Sequence, residues 1–283
     1  MKSAIKDLIP THIRSAARNL KYRVEGAIHL LQGKRDALIP PVGLMNDGPQ
    51  DYEIFRKNGR DFMRYYKNLC DLRPDAAILD VGCGMGRKTI PLVDYLDENG
   101  TYEGLDINRD GIAWCRRGIG RLRKSFNFQL IDVFNERYNP SGRGKASEYR
   151  FPFDDGEFDL VVLGSVFTHM LPDDMENYLR EVARVLRRDG NCLITYFLLN
   201  EEARRLISEQ KSSMSFGHRI DEHCYSEYAE VPEQAIAFDE QRIRALYDSS
   251  HLRIKAPIFF GGWCKREESL LGEYQDIIIA AKG

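Results

Sequence analysis

The six cysteines of this 283-residue chain include no CxxC pair, and its net charge is only −2. No apolar run approaches the roughly 18 residues that a membrane span needs. Each shortage excludes a class. Cys70, Cys83, Cys115, Cys192, Cys224 and Cys264 are scattered, which argues against a disulfide framework or a zinc site and predicts reduced thiols in a cytoplasmic protein. Lys2 and Lys6 are followed by no apolar signal region, so no secretory signal peptide is expected. The near-zero net charge gives no global reason to expect nucleic acid. Internal repeats and low-complexity segments are absent too.

What is present is ordinary for a soluble enzyme: 43% hydrophobic and 30% charged residues. The length suits one α/β domain with appendages or two small domains. Charge is uneven, however. Residues 1–35 hold Lys2, Lys6, Arg14, Arg18, Lys21, Arg23, Lys34 and Arg35 against Asp7 and Glu25, a net of +6 that leaves −8 for the remainder. Apolar residues recur there at spacings of three and four from Ile5 to Leu31, which predicts one or two amphipathic helices over 3–32, broken near Pro10-Thr11. Such a helix fits peripheral contact with anionic lipid. It also fits packing on the body or on a second subunit of a homodimer, the ordinary use of an amphipathic helix.

Breakers over 38–49 form a connector, and residues 51–72 read as a helix with an aromatic face. From there strand and helix alternate. Strands are expected at 77–81, 102–107, 128–133, 158–163 and 192–197, with helices at 86–96, 112–122 and 173–188. Asn135 to Arg150 is a polar loop. The strands are apolar throughout, the pattern of a parallel sheet covered on both faces. Residues 200–240 show no clear strand and read as a lid or substrate cap; a helix at 240–248 and late strands at 253–264 and 274–281 close the chain.

Ligands of such sheets sit at the carboxyl ends of the strands. Gly82, Gly84 and Gly86 follow the first strand, where bare backbone N–H groups can approach a ligand. Alone, this turn is a weak signal that a structural turn would also give. Asp106 ends the second strand and can accept from ribose hydroxyls; Asp132 ends the third and can accept from an adenine amino group or cap a helix. Gly164, Ser165, Val166, Phe167, Thr168 and His169 follow the fourth. The dinucleotide fingerprint would place a glycine at 87, which is Arg. Asp80 beside the turn suits an ammonium or sulfonium better than a pyrophosphate.

Asp80-Val-Gly-Cys-Gly-Met-Gly86, Gly104-Leu-Asp106, Phe158-Asp-Leu-Val-Val-Leu163 and Val182-Ala-Arg-Val-Leu-Arg-Arg-Asp-Gly190 resemble, in order and spacing, the successive motifs of class I S-adenosylmethionine-dependent methyltransferases. Asp189-Gly190 stands where Pro-Gly is commoner. More narrowly, Ser165-Val-Phe-Thr-His169, Gly262-Trp-Cys264 and Tyr274-Gln-Asp276 resemble bacterial methyltransferases of small molecules or sugars. The resemblance implies an α/β, Rossmann-like class I sheet, mostly parallel with one antiparallel strand near the C-terminus. Residues 1–48 would form an N-terminal helical extension and 49–283 the methyltransferase domain, with 200–240 as its cap.

It further implies S-adenosylmethionine as cofactor and S-adenosylhomocysteine as product. Asp80, Gly82, Cys83, Gly84, Gly86 and Arg87 would hold the methionine portion, Asp106 and Ile107 the ribose, Asp132 and Val133 the adenine; Ser165, Val166 and Thr168 would lie near the sulfonium. The acceptor is then expected to be a small molecule or glycan, at a hydroxyl oxygen. A hydroxyl often needs a base, and His169 is the candidate, with a buried loop-supporting histidine as its plain alternative. An amine acceptor, a nucleic acid and a catalytically inactive regulatory module stay open. Against nucleic acid, the basic residues cluster at the N-terminus and in 137–150, and no Asn-Pro-Pro-Tyr element is present. No metal site is expected; His218, Glu222 and His223 read as surface residues.

Overall fold

A computed structural model describes residues 11–45 and 48–283. The predicted helical segment before Thr11 lies outside the described residues. α1 (Thr11–Leu31) leads through a connector with a short 3-10 turn to α2 (Tyr52–Leu69). The Asp51 carboxylate caps α2 by accepting from Ile54 N at 2.8 Å. The alternating region then runs β1 (Ala77–Val81), β2 (Thr101–Asp106), α3 (Arg109–Arg117), α4 (Ile119–Leu122), β3 (Phe126–Leu130), β4 (Phe158–Leu163), α5 (Pro172–Val185) and β5 (Leu186–Tyr196). Next come β6 (Leu198–Leu199), α6 (Glu201–Ser208), β7 (His218–Arg219), β8 (Cys224–Ser226), β9 (Ile236–Asp239), α7 (Glu240–Ser249), β10 (Leu252–Ile254) and β11 (Asp276–Lys282).

The main sheet has the order β10-β11-β5-β4-β1-β2-β3. β1 to β5 are parallel; β11 is antiparallel to both of its neighbours. This is the expected architecture. Alternation along the strands divides the core in two. Leu79, Val81, Val161, Leu163 and Ile278 enter one layer, and Ile78, Leu160, Val162, Ile277 and Ile279 the other. Asp80 shares the face of Ile78, so its carboxylate is sent into an apolar layer. The carboxyl ends of β1, β2, β4 and β5 all reach the same edge, beside the β1/β4 switch in strand order, where an open sheet leaves a crevice.

Five expectations are corrected. The helix expected at 86–96 is a string of turns around a 3-10 stretch, Ile90–Leu92, because Pro91 lacks the N–H that an α-helix would use there. The helix expected over 112–122 is split at Gly118, and the third strand lies two to three residues earlier than predicted. The late strand stops at Ile254; Pro257 follows, and beyond it the pairing continues as a bridge from Phe259 to Ile277 and as single bonds from Gly262 N to Glu273 O and from Trp263 N to Tyr274 O. Residues 200–240 do contain strands: β7, β8 and β9, which with β6 just before them form a small second sheet in the order β6-β9-β8-β7. Each has two to four residues, too short for an alternation to register. This sheet has its own apolar centre, where Phe197, Phe216 and Trp263 meet edge-on or tilted with ring centres 5.3–5.6 Å apart. Trp263 is thus packing, as are Tyr66 and Phe238. Within the irregular first part of β5, Asp189 adopts φ +61°, which proline cannot, so Asp at this turn matches its geometry.

Candidate active site

A cavity of about 800 Å³ opens at that sheet edge. Its floor is the glycine turn, with Gly82 at φ +78° and Gly84 at φ +55°. A Cβ on Gly82 would stand 2.4 Å from Val166 Cγ2, so glycine is required on steric grounds as well as by φ. Asp106 fixes the turn from β2. Its Oδ2 accepts from Gly84 N at 2.6 Å and its Oδ1 from Asn108 N at 2.6 Å. Beside it Ile107, Ile131 and Val133 give the cavity an apolar wall.

Of the residues the sequence singled out, Gly82, Cys83, Gly84, Arg87, Asp106, Ile107, Val133, Ser165, Val166 and His169 all line this cavity. The other four stand off its wall. Gly86 turns toward Cys115 and Ile119. Thr168 is fully buried, 3.4 Å from Gln275 Nε2. The Asp132 side chain is half exposed and engaged by Arg143 at 2.6 Å, which also holds its carboxyl below the usual range. Asp80 is buried under the turn, where its Oδ2 accepts from Tyr102 Oη at 2.9 Å and Lys88 Nζ lies 3.1 Å from Oδ1. The charge expected to meet a ligand cation is thus met by Lys88, which also donates to Gly82 O and Gly164 O at 3.3 and 3.4 Å. Burial, reinforced by Asp80, pushes the Tyr102 phenol far up, so it stays a donor to that carboxylate.

The far wall has two parts. At the tips of β4 and β5, Ser165 is held at φ +61°, a costly conformation for a residue with a Cβ. Its N–H donates to Thr195 Oγ1 at 2.7 Å, and the hydroxyls of Ser165 and Thr195 both donate to Gln275 Oε1, at 2.9 and 2.7 Å. Glu273 adjoins them and accepts from Tyr65 Oη at 2.7 Å. In the other part, His169 Nδ1 lies 3.0 Å from Glu233 O. A carbonyl only accepts, so Nδ1 carries the proton and Nε2 keeps its lone pair, facing Tyr138 Oη at 3.4 Å. Burial lowers the His169 pKa, so the ring is neutral at pH 7. Burial likewise raises Asp174 and Glu233, both on the cavity wall.

Lys88, Asn135, Tyr138, Glu233 and Gln275 were not read from the sequence as functional. Gln275 had a signal in Tyr274-Gln-Asp276; Glu233 had none, since it arrives from the second sheet region 97 positions beyond its partner Glu136. Among the described residues no group of three His, Cys, Asp or Glu is placed to hold a metal ion. None of the described helices is long and apolar enough to cross a membrane. All six cysteines are buried free thiols.

Comparison with known proteins accords with this geometry. Residues 79–194 match the family model described as a methyltransferase domain. Demethylmenaquinone methyltransferase of Shouchella clausii is 24% identical over 253 residues, 88% of this chain and 96% of its own. Among solved structures, a methyltransferase from Methanosarcina mazei aligns with TM-score 0.50 and 22% identity over 75% of this chain and 94% of its own. The 1,6-didemethyltoxoflavin-N1-methyltransferase of Burkholderia thailandensis aligns with TM-score 0.50 and 18% identity over 97% and 91%. Residues 79–194 therefore constitute a methyltransferase domain of the class I, S-adenosylmethionine-dependent kind. The cavity fits that cofactor: a glycine floor without Cβ atoms, a carboxylate at the end of β2 and an apolar wall beyond it suit an amino acid, a ribose and a base in that order.

Proposed function

We propose that the chain methylates a hydroxyl oxygen of a small molecule, a sugar or glycan unit included, with His169 as general base. The cofactor, when bound, supplies a methyl group already activated by its sulfonium. What remains for the protein is to place the acceptor, exclude water and remove one proton. The observation that carries the reading is the anchored His169 ring: Nδ1–H is committed to Glu233 O, which leaves a basic Nε2 on the cavity wall. The acceptor hydroxyl gives its proton to Nε2, while the Ser165, Thr195 and Gln275 cluster orients the rest of the acceptor. Glu233, from the second sheet region, supports that region as the substrate cap. The balanced net charge supports a small acceptor over nucleic acid.

A tritiated-methyl screen over sugars, phenols and amines tests the reading, with detectable transfer to a hydroxyl as the expected result. His169→Gln should lower kcat by about 10²–10⁴-fold. Because burial lowers the His169 pKa, the acid limb of the wild-type profile should fall below the ordinary histidine value of about 6.5 and vanish in the variant. The stability sign follows. Between that ordinary value and the lower folded pKa the unfolded chain binds more protons, so this contribution is lost as pH falls through the window. Turnover unchanged by His169→Gln at every pH would remove the base. Gln275→Ala should raise the acceptor KM by about tenfold, the value of one or two hydrogen bonds, and leave cofactor affinity unchanged. A shift in cofactor Kd alone would place Gln275 elsewhere in the mechanism.

A further inference from the structure

Among the described residues, the outer face of α1 from Leu20 to Leu31 has no partner in the fold. Tyr22, Gly26 and His29 lie on its inner face. Gly26 is pressed against Pro41, Gly43 against the Tyr22 ring, and His29 Nδ1 is 3.0 Å from Tyr52 Oη. On the opposite face Leu20, Val24, Ile28 and Leu31 recur every three or four residues and are 64%, 52%, 46% and 88% exposed. They form one apolar stripe about 17 Å long at 1.5 Å per residue. Single exposed apolar residues need no explanation, but four aligned on one helix face do.

Charge selects the occupant. The first 35 residues carry a net of +6, against −8 on the remainder; Arg35 is buried and donates to Gly26 O, which leaves a net of +5 on residues 1–34. A second copy meeting this stripe through a two-fold axis would set that positive charge against itself. An anionic lipid surface instead takes the apolar stripe into its headgroup boundary and complements the basic residues. We infer that α1 docks this protein peripherally on anionic membranes, with Leu20, Val24, Ile28 and Leu31 inserted. The helix leads into the connector whose Gly48 and Pro49 line the cavity. The inference does not depend on which acceptor is methylated.

Flotation of the full-length protein with vesicles of phosphatidylcholine plus phosphatidylglycerol, and of phosphatidylcholine alone, tests it. The protein should float with the anionic vesicles, weaken as salt is raised, and bind the neutral ones poorly. Combined Val24→Ser, Ile28→Ser and Leu31→Ser should reduce anionic-vesicle partitioning about a hundredfold. Leu122→Ser and Leu270→Ser, equally exposed elsewhere, should not change it. An unchanged melting temperature and unchanged cofactor binding in the triple variant keep the result free of unfolding. Absence of flotation with anionic vesicles overturns the inference. So does a concentration-dependent dimer, seen by sedimentation, that the triple variant abolishes while vesicle binding persists.

Discussion

Asp106→Ala should weaken S-adenosylmethionine binding by about 100-fold or more in titration calorimetry, while Asp221→Ala leaves it unchanged. The carboxylate serves twice. It holds the glycine turn through Gly84 N and the start of α3 through Asn108 N, both at 2.6 Å. It also faces the cavity where a ribose is expected. Hydrogen bonds to a charged acceptor are worth about 1.5–3 kcal/mol each, so losing two costs at least a hundredfold in affinity. Asp106→Asn separates the functions: it keeps one acceptor oxygen for the turn, and should bind more tightly than Ala but less tightly than Asp. Asp221 is the matched control, since its carboxylate accepts from His223 N at 2.7 Å in the β7–β8 hairpin, off the cavity wall. A Kd for Asp106→Ala near that of the parent would remove Asp106 from the cofactor site.

The same residue shows why the fold was legible. Buried parallel strands leave long apolar runs, and each run ends where the ligand edge begins, so Asp106 and Ser165 could be placed on the cavity before any coordinates. Contacts between distant segments were not legible in this way. Asp80 reads as a ligand for a cation because sequence does not reveal which face of β1 it takes. The strand alternation sends it into a buried layer, where Lys88, eight positions later, meets it across the turn. Asp132 is drawn outward by Arg143 from a loop with no period to read. The 200–240 region hid a sheet because strands of two to four residues carry no detectable alternation. His169 was legible as a candidate; its tautomer is set by a carbonyl 64 positions away, which only the folded chain brings near.

Arg266→Met should be the most destabilising single replacement outside the cavity, by about 3–5 kcal/mol, the cost of leaving a buried charge without its partner. Arg266 and Asp276 have side chains 2% and 0% exposed, and Nη1 is 3.2 Å from Oδ1. Arg266 also reaches Glu202 at 3.0 Å and Gly261 O at 3.1 Å, and its guanidinium lies 4.9 Å from the Phe260 ring centre. Asp276 meanwhile accepts from Leu198 N, Gly261 N and Trp263 Nε1. The pair therefore joins β11, the end of β5 and the second sheet region at one point. Burial pushes Asp276 up to about 6, with Arg266 the main influence opposing it. A folded pKa above the unfolded value means that the native chain binds more protons between about 4 and about 6, so stability falls as pH rises through that window. Without Arg266 the carboxyl should rise further and extend the loss toward neutral pH. Thermal unfolding should thus show a drop on the order of 10 °C at pH 7 and a smaller one at pH 5. Equal losses at both pH values would mean that Arg266 stabilises through packing on Phe260 and Trp263, not through the charge of Asp276.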